Sequence, residues 1–461
     1  MFTLREIAAV TGGKLISDYD HIQVTGISCD SRSLKAGDLF IPLKGDRFDG
    51  HVFLKDVLGK GACAALSDHS VSFPDLPIIV VPNTLKALQQ LAQQYKKRFP
   101  IPTIAVTGSA GKTTTKECIG RALSNQFKVK VGLGNFNNHI GVPLNVFQLD
   151  ARDECAIFEL GANHAGEIKL LAEIVQPSIG VITGIHPVHL EGFGSLQRIY
   201  DAKLELADYV EKQQGAMIAS GDDPALIKRL KNRRFQLITF GASSGCDYQI
   251  SNLRSGEDHI EFDVNGKYHF SLKGYGSFNA VNALAAVAVA GHLKMNLETL
   301  SKSWAELPLI ENRFAIHHWP SQNLLVVDDS YNANPKSFEQ AIESFKEMAK
   351  DRRKIIVVGD MLELGEQARS YHEELGRFLA AQKLDILIAV GSLSRFVLNE
   401  FRIINSHAVT AHFENMEDAR FYLASNMKEG DAILIKGSHG MELYKIKPYL
   451  EERFNISSAS V

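Results

Sequence analysis

The stretch Thr107-Gly108-Ser109-Ala110-Gly111-Lys112-Thr113-Thr114 constrains the fold of this chain more than any other. It follows an apolar run at 104–106 that predicts a buried strand, and it precedes a helical pattern from Lys116 to Leu123. A glycine-rich turn between a strand and a helix offers backbone N–H groups and the positive end of the helix dipole to an anion. We therefore predict a strand–loop–helix unit that binds the phosphates of ATP.

Each residue type in this loop has an expected role. Lys112 is predicted to lie against the β and γ phosphates, and Thr113 to place its hydroxyl on Mg²⁺. The general pattern G-x-x-x-x-G-K-[ST] has glycine where this chain has Val106. The alternative is a glycine-rich turn without a ligand, but a Gly-Lys-Thr-Thr run directly after a strand has little structural reason to occur. The predicted nucleotide-binding residues of the loop are Gly108, Ser109, Ala110, Gly111, Lys112, Thr113 and Thr114.

Composition excludes several classes of protein. A chain of 461 residues is too long for one core, and at about 150 residues per domain it predicts three domains. The net charge of −3 gives no reason to expect nucleic acid or an anionic membrane as a partner. The five cysteines show no Cys-x-x-Cys spacing, which favours reduced thiols. With no signal sequence and no apolar run long enough to span a bilayer, we expect a cytoplasmic monomer.

The pattern of strands and helices predicts the domain organisation. A capping box, Thr3-x-x-Glu6, begins the first helix, and Pro100-Ile101-Pro102 indicates a linker because proline disfavours helix at itself and just before it. From Thr103 onward strands alternate with helices, and Asn265-Gly266 predicts an appended hairpin. We predict an α/β fold with three domains: a small α/β domain at 1–100, a central P-loop-type domain with a doubly wound, mostly parallel sheet at 101–312, and a C-terminal Rossmann-like α/β domain at 313–461.

Polar side chains follow the predicted strands of the central domain, at the edge where α/β sheets bind ligands. Glu159 ends an apolar strand, and His186 and His189 follow the next one. Together with Thr113, Glu159 and His189 are candidate ligands of Mg²⁺, although Mg²⁺ prefers oxygen donors. Structural histidines at 186 and 189 explain the spacing equally well. Zinc is another possibility, but no third ligand falls at helical spacing.

Four further groups of polar residues are notable along the chain. Lys203 lies on a predicted helix at 196–210, where a surface lysine is the default interpretation. Asn279 and Asn282 share one helix face, so they either reach a base edge or cap and pack. Arg313 begins the third domain, and a guanidinium there suits phosphate. Asp329 follows a strand and either holds ribose hydroxyls or caps the next helix.

Taken together, these motifs resemble the Mur ligases, ATP-dependent enzymes that form amide bonds in peptidoglycan synthesis. The resemblance spans nearly the whole chain, and the family's Thr-Gly-Ser-x-Gly-Lys-Thr loop also lacks the outer glycine. No Asp-Asn-Pro-Arg acceptor motif, as found in members that add diaminopimelate, occurs in this sequence. The segments most similar to members that use D-alanyl-D-alanine are Glu159-Leu160-Gly161-Ala162-Asn163-His164, His189-Leu190-Glu191-Gly192-Phe193-Gly194, Asp329-Ser330-Tyr331-Asn332-Ala333-Asn334-Pro335 and Gly359-Asp360-Met361-Leu362-Glu363-Leu364-Gly365.

The resemblance implies ATP and Mg²⁺ as cofactors. It implies that Lys112 and Thr113 hold the phosphates and one Mg²⁺, and that Glu159, His189 and a carbamylated Lys203 hold a second. A carbamate places a carboxylate on a long arm, whereas a free ammonium would repel both cations. The implied catalytic residues are Lys112, Lys203, Glu159 and His189, and the implied metal ligands are Thr113, Glu159, His189 and Lys203. The implied nucleotide contacts outside the loop are Asn137, Asn138, Asn279, Asn282, Arg313 and Asp329.

The same resemblance implies two small-molecule substrates, UDP-N-acetylmuramoyl-tripeptide and D-alanyl-D-alanine, which are joined through an acyl phosphate. Two segments, at 30–32 and 44–51, are similar to the UDP-sugar segments of the family. The candidate substrate-binding residues are Ser31, Arg32, Lys44, Arg47, Asp49, His51, Asn334 and Ser438. One departure is His439, because the family has arginine there. If that arginine anchors the acceptor's carboxylate, a histidine implies a weaker, pH-dependent contact.

Two other functions stay open at this point. A P-loop switch that controls a partner protein is one, although the Asn-Lys-x-Asp guanine motif is missing from the sequence. The other is a related amide ligase with a different substrate, such as one that extends folate with glutamate. For a ligase, the third domain is expected to close over the site about a hinge near 307–313, because water would hydrolyse an acyl phosphate.

Overall fold

A computed structural model of the chain describes residues 1–15, 19–45, 48–256, 258–308 and 310–456. Arg47, and residue 309 of the expected hinge, lie outside the described residues. Three large sheets follow one another along the described chain, with five, nine and six strands. The predicted three-domain α/β fold is therefore confirmed, whereas the domain limits at 100/101 and 312/313 stay predictions.

The first sheet is mostly parallel, and two helices cover one of its faces. The helix α1 begins at the predicted capping box, where Thr3 Oγ1 accepts a hydrogen bond from Glu6 N (3.2 Å), and it ends at Gly12 in the left-handed conformation. The strands lie in the order β1-β5-β4-β3-β2. The elements are α1 (Leu4–Thr11), β1 (Lys14–Leu15), β2 (Gly26–Ser28), β3 (Asp38–Phe40), β4 (Ala62–Ser67), β5 (Ile78–Val80) and α2 (Thr84–Lys96).

The central sheet contains seven parallel strands followed by two antiparallel ones. The elements are β6 (Thr103–Thr107), α3 (Lys112–Leu123), β7 (Val129–Val131), α4 (Gly141–Val146), β8 (Cys155–Glu159), α5 (Glu167–Val175), β9 (Ile179–Ile182), α6 (Leu190–Phe193), α7 (Leu196–Lys212), β10 (Ala216–Ser220), α8 (Pro224–Leu230), β11 (Gln236–Gly241), β12 (Tyr248–Ser255), β13 (His259–Val264), β14 (Tyr268–Lys273), α9 (Ser277–His292) and α10 (Leu297–Ser303). Their order in the sheet is β7-β8-β6-β9-β10-β11-β12-β13-β14.

This order determines where the site lies. Because β6 is flanked by β8 and β9 in parallel register, the loops that follow these three strands meet at one edge of the sheet. The predicted hairpin is present, with Asn265 and Gly266 at φ 55° and 63° between β13 and β14. One prediction was wrong: α3 begins at Lys112 rather than Lys116, because Gly111 in the left-handed conformation turns the chain directly into the helix.

The third sheet is parallel except for one edge strand. The elements are β15 (Ala315–Trp319), β16 (Leu324–Asp329), α11 (Pro335–Ala349), β17 (Lys354–Gly359), α12 (Ala368–Ala380), β18 (Ile386–Val390), α13 (Ser394–Ile404), β19 (Val409–Phe413), α14 (Met416–Asn426), β20 (Ala432–Lys436) and α15 (Ile446–Arg453). The order is β15-β16-β20-β17-β18-β19, so both edge strands are ones that the sequence pattern did not reveal. β15 and β19 are the least buried strands of this sheet, which is why their apolar patterns are weak.

The cysteines and the longest apolar helix lie inside the domains described above. All five cysteines are free thiols. Among the described residues, none of the helices combines the length and the apolar character that a membrane span requires. The apolar helix α9 is instead buried, with residues such as Ala285 and Val287 completely inaccessible.

We predict that Thr3→Ala loosens α1 without affecting the other helices. The substitution removes the hydroxyl that accepts from Glu6 N, and the loss of such a cap costs about 1 kcal/mol. Amide hydrogen exchange of residues 4–11, followed by mass spectrometry, should become roughly fivefold faster. Thr3→Ser keeps the hydroxyl and serves as the control. Equal exchange rates in Thr3→Ala and the unmodified protein would contradict this cap assignment.

Candidate active site

A cavity of about 670 Å³ lies between the central and C-terminal domains. The central domain contributes the loop after β6 and the ends of β8, β9 and β10 to its walls. The C-terminal domain contributes residues from Arg313 to Gln340, and also Lys436 at the end of β20. The carboxyl ends of two separate parallel sheets therefore face one polar cavity.

The loop after β6 has the geometry of a phosphate cradle. Gly108 and Gly111 have φ of 151° and 75°, which side chains rarely adopt. A Cβ atom on Gly108 would lie 2.1 Å from Thr183 Oγ1, and one on Gly111 would lie 2.5 Å from Asn282 Oδ1. Ser109 N donates to Gly184 O (2.9 Å), which fixes the loop against the end of β9. The loop is therefore tightly packed from behind, while Ser109, Ala110, Gly111, Lys112 and Thr114 line the cavity.

Lys112 is placed to meet an anion at the start of α3. Its ammonium donates to Gly108 O (3.0 Å), so the side chain folds back over the loop. Burial lowers the pKa of Lys112, while the nearby Glu159 opposes that shift. A triphosphate in the cavity would favour the charged form in the same way. The arrangement fits the predicted contact with phosphate.

Glu159 is the central acidic group of the site. It is 4% exposed, and its two carboxylate oxygens accept from Thr113 Oγ1 and from Asn137 Nδ2, each at 2.7 Å. Among the described residues, Glu159 forms no ion pair with a lysine, arginine or histidine. Lys112 is near enough to interact with Glu159 electrostatically but does not pair with it directly, so the carboxylate stays available to a bound cation. The hydroxyl and carboxylate oxygens are of the donor type that Mg²⁺ prefers, and the residues therefore fit it.

The segment that carries Asn137 and Asn138 is held by a buried lysine. Lys116 donates to Gly132 O (2.7 Å) and to Gly134 O (2.8 Å), and it also pairs with Glu117 (2.9 Å). Asn138 uses its side-chain oxygen to accept from Gly141 N (2.8 Å) at the start of α4. Both asparagines line the cavity, but Asn138 has a helix-capping role there as well.

Lys203 is not on the surface, so the default interpretation of the sequence was wrong. It is 1% exposed on α7, and its ammonium donates only weakly to Ala162 O (3.4 Å) and lies 5.6 Å from the centroid of the Phe193 ring. Burial, with a smaller contribution from Lys112, lowers the pKa of Lys203 to about 7. A substantial fraction of the amine is therefore neutral near neutral pH.

The two candidate histidines differ in their surroundings. His189 lies just before α6, has φ 50°, and its Nδ1 is hydrogen-bonded to the carboxylate of Glu363 in the C-terminal domain. His186 is joined to the loop through its backbone, since its N–H donates to Ser109 Oγ (2.9 Å) and its carbonyl accepts from the same hydroxyl. Burial lowers the pKa of His186. Both line the cavity, but His189 alone has a carboxylate on one ring nitrogen.

Asn279 and Asn282 form a relay behind the loop. Asn282 accepts from Thr115 Oγ1 (3.1 Å) and donates to Asn279 Oδ1 (3.1 Å), and Asn279 donates to Tyr275 O (2.8 Å). Asn282 lines the cavity, whereas Asn279 is not among its lining residues. The packing interpretation of this pair thus has direct contacts in its favour.

Arg313 and Asp329 form the wall that the C-terminal domain contributes. The Arg313 guanidinium lies 3.9 Å from the centroid of the Tyr331 ring. Asp329 pairs with Lys436 (2.6 Å) and accepts from Phe314 N (3.0 Å). The capping alternative for Asp329 was wrong, because Asn334 is the N-cap of α11.

The remaining substrate candidates lie in different places. Asn334 lines the cavity, but its side chain caps α11 by accepting from Ser337 N (2.9 Å). Ser438 is 4% exposed, and its hydroxyl accepts from Leu362 N (2.9 Å). No residue of the first domain that the structure describes lines this cavity, and Arg47 lies outside the described part. In the first domain, the described candidates are Ser31 and Arg32, next to Asp30, and Lys44, Asp49 and His51. Lys44 and His51 each contact both Asp49 and Asp68.

Sequence reasoning missed three side chains that shape the site. The Tyr331 ring lies under the Arg313 guanidinium. Lys436 forms an ion pair with Asp329, and Glu363 is hydrogen-bonded to His189. All three belong to motifs that were visible in the sequence, so a signal existed at each position. Their partners are more than 15 residues away along the chain, and the contacts could not be deduced from local spacing.

Comparison with known proteins gives one consistent result. Three family models match in chain order: "Mur ligase family, catalytic domain" at residues 23–96, "Mur ligase middle domain" at 106–290, and "Mur ligase, glutamate ligase domain" at 312–439. The UDP-N-acetylmuramoyl-tripeptide–D-alanyl-D-alanine ligase of Bacillus subtilis (strain 168) is 35% identical, over 96% of this chain and 97% of its own length.

Two solved structures show the same similarity in three dimensions. A crystal structure of MurF from Acinetobacter baumannii superposes with a TM-score of 0.88 at 30% identity, covering 98% of this chain and 99% of the other. The crystal structure of the MurF ligase from Thermotoga maritima in complex with ADP has a TM-score of 0.82 at 28% identity, with 94% and 98% covered.

We predict that Gly108→Ala lowers the affinity for ADP at least about tenfold, which corresponds to about 1.4 kcal/mol. The added Cβ would displace Thr183 and deform the loop on which the phosphates are expected to lie. Isothermal titration calorimetry with ADP measures the effect. Gly245→Ala is the control, since Gly245 also has positive φ (93°) but open space around it. ADP affinity in Gly108→Ala equal to that of the unmodified protein would contradict the assignment.

Proposed function

The chain belongs to the Mur ligase family, and from that premise we propose that it joins D-alanyl-D-alanine to UDP-N-acetylmuramoyl-tripeptide and converts ATP to ADP and phosphate. One observation carries the proposal, the full-length similarity to ligases of this activity. The cavity supports it, because a phosphate loop and a buried carboxylate meet there at the ends of parallel strands. A nucleotide switch would not need this second polar wall from another domain.

The first step activates the terminal carboxylate of the tripeptide. A carboxylate is a poor electrophile, so one of its oxygens attacks the γ phosphorus of ATP, the bond from that phosphorus to the β-phosphate oxygen breaks, and ADP leaves. The product is an acyl phosphate. Several anionic oxygens come together in this step, and Lys112 and the N-terminus of α3 offset their repulsion.

The proposed cation ligands are Thr113, Glu159, His189 and Lys203. Bound Mg²⁺ would act as a Lewis acid that screens charge between the carboxylate and the phosphoryl group. The residues themselves keep the start of α3, the end of β8 and the segment after β7 in one arrangement, through the contacts of Glu159 with Thr113 and Asn137. The proposed nucleotide contacts outside the loop are Asn137, Asn138, Asn279, Asn282, Arg313 and Asp329.

The second step forms the amide bond. The amine of D-alanyl-D-alanine attacks the acyl carbon, the carbon–oxygen bond to phosphate breaks, phosphate leaves and the amine gives up a proton. Water competes with this amine, so the C-terminal domain has to cover the cavity during the reaction. We propose that residues 307–313 form the hinge for that movement.

The UDP-sugar is proposed to bind the first domain through the segments at 30–32 and 44–51, which contain Ser31, Arg32, Lys44, Arg47, Asp49 and His51.

Lys203 is proposed to react with CO₂ before it ligates a cation. The lone pair of a neutral Nζ attacks the carbon of CO₂ and the nitrogen loses a proton, which gives a carbamate. Burial brings the pKa of Lys203 to about 7, so the neutral amine is available at the pH where the reaction is expected to occur. The weak contact with Ala162 leaves this side chain free to change its charge.

We predict that Lys203→Ala lowers turnover about 100-fold or more, because the proposed cation site loses one of its ligands. In the unmodified enzyme, the carbamate signal in ¹³C NMR after addition of ¹³CO₂ should fall as the pH drops below about 7, where Nζ becomes protonated. Lys212→Ala, at the exposed end of the same helix, is the control and should keep its turnover. A Lys203→Ala enzyme with unchanged turnover would exclude this role.

The activity itself is tested with a substrate panel. We expect ADP release only when a UDP-N-acetylmuramoyl-tripeptide and D-alanyl-D-alanine are both present, and a product whose mass equals the two joined with loss of water. Tripeptides that end in lysine and in diaminopimelate are compared in separate reactions. Hydroxylamine should trap the acyl phosphate as a hydroxamate. If no ADP is released with both substrates, or if folate and glutamate are the pair that reacts, the proposed function is wrong.

A further inference from the structure

A loop of the C-terminal domain reaches the central domain next to the proposed cation site. This loop, residues 360–365, follows β17, and two of its contacts cross the domain boundary. The Glu363 carboxylate is hydrogen-bonded to His189 Nδ1, and the Glu363 carbonyl accepts from Glu191 N (3.2 Å). Glu363 thus contacts two residues at the start of α6, His189 through its side chain and Glu191 through its backbone.

The loop is held firmly within its own domain. Met361 N donates to His372 Nε2 (3.0 Å), and Leu362 N donates to Ser438 Oγ (2.9 Å). Met361 and Leu364 are buried, at 0% and 2% exposure, on either side of the exposed Glu363. Glu363 is therefore presented by a fixed segment rather than by a flexible one.

Both partners have an unusual backbone conformation. His189 has φ 50° and Glu363 has φ 64°, and such values are uncommon outside glycine. Residues in this region persist only where their surroundings require it, and they concentrate at functional sites. The chain thus adopts two strained residues that face each other across a domain boundary.

The chemistry of the pair identifies its purpose. A carboxylate only accepts hydrogen bonds, so it fixes the proton of a neutral His189 ring on Nδ1 and leaves the Nε2 lone pair free. Metal-bound histidines almost always donate their other N–H to such a group, which orients the ring and raises its basicity. Because Glu363 comes from the C-terminal domain, this orientation exists only when that domain is against the central one.

We propose that Glu363 is a positioning residue that completes the His189 side of the cation site when the C-terminal domain closes. The inference rests on the proposed function. Its consequence is reciprocal: closure strengthens cation binding, and a bound cation favours closure by the same free energy. The ordinary alternative is an exposed interdomain ion pair with no effect on the cation, which contributes little.

The test uses the full-length enzyme with Mn²⁺ as the probe, together with the non-hydrolysable analogue AMP-PCP and UDP-N-acetylmuramoyl-tripeptide. Free Mn²⁺ is followed by electron paramagnetic resonance in the unmodified enzyme, Glu363→Ala and Glu363→Gln. We expect Glu363→Ala to bind Mn²⁺ about 10- to 100-fold more weakly, the range found when such supporting groups are removed. Glu363→Gln keeps an acceptor oxygen without the charge and should lie between the two. Glu366→Ala, an exposed position in the same loop region, is the control and should bind as the unmodified enzyme does.

Small-angle scattering on the same samples reports closure. The unmodified enzyme should contract on addition of Mn²⁺, and Glu363→Ala should need a correspondingly higher concentration. If Glu363→Ala and Glu363→Gln bind Mn²⁺ within threefold of the unmodified enzyme, the inference is overturned, and the pair is an interdomain contact only. Circular dichroism excludes misfolding as the cause of a loss. If the unmodified enzyme itself shows no turnover with its two substrates, the proposed function fails, which is a separate outcome.

Discussion

A buried carboxylate that forms no direct ion pair with a basic side chain in the described part of the chain determines how this site is assembled. Glu159 lies at the end of β8 with uncharged donors on both oxygens, Thr113 from the loop and Asn137 from the segment after β7. The penalty for burying an unpaired ion is on the order of several kcal/mol, and two neutral hydrogen bonds offset only part of it. The two segments that bond Glu159 are therefore arranged around a charge that a cation can neutralise. The buried charge of Glu159 thus destabilises the protein without a ligand and stabilises the complex with a bound cation.

The second wall of the cavity belongs to another domain, and its charged groups already have contacts within that domain. Lys436 neutralises Asp329, and the ring of Tyr331 supports Arg313, so the C-terminal domain presents an ordered surface before any ligand binds. The two walls therefore differ in kind. The central domain supplies the unpaired charge and the phosphate loop, while the C-terminal domain supplies a preorganised cover. Ligand binding at one wall can affect the other only through a contact between the two domains. The hydrogen bond between Glu363 and His189 is such a contact.

Much of the fold could be predicted from the sequence because its signals are local. The strands β8, β9 and β18, the capping box of α1 and the Asn265-Gly266 hairpin follow from patterns within a few residues. The contacts of the site are not local: His189 and Glu363 are 174 positions apart, and Lys116, which was taken only as the start of a helix, holds the carbonyls of a distant loop. Asn334 is the instructive case, because an asparagine before a helical proline already indicates an N-cap.

The departure at position 439 can be understood from its neighbours. The His439 ring lies 5.1 Å from that of Tyr444, nearly parallel to it, and 5.5 Å from that of Tyr331. Since the Arg313 guanidinium lies over the Tyr331 ring, four side chains are in contact one after another, and two of them, Arg313 and Tyr331, line the cavity. A flat imidazole fits between two rings, whereas a longer side chain would have to leave the stack to reach a substrate. Position 439 is therefore linked to Arg313 through ring contacts with Tyr331.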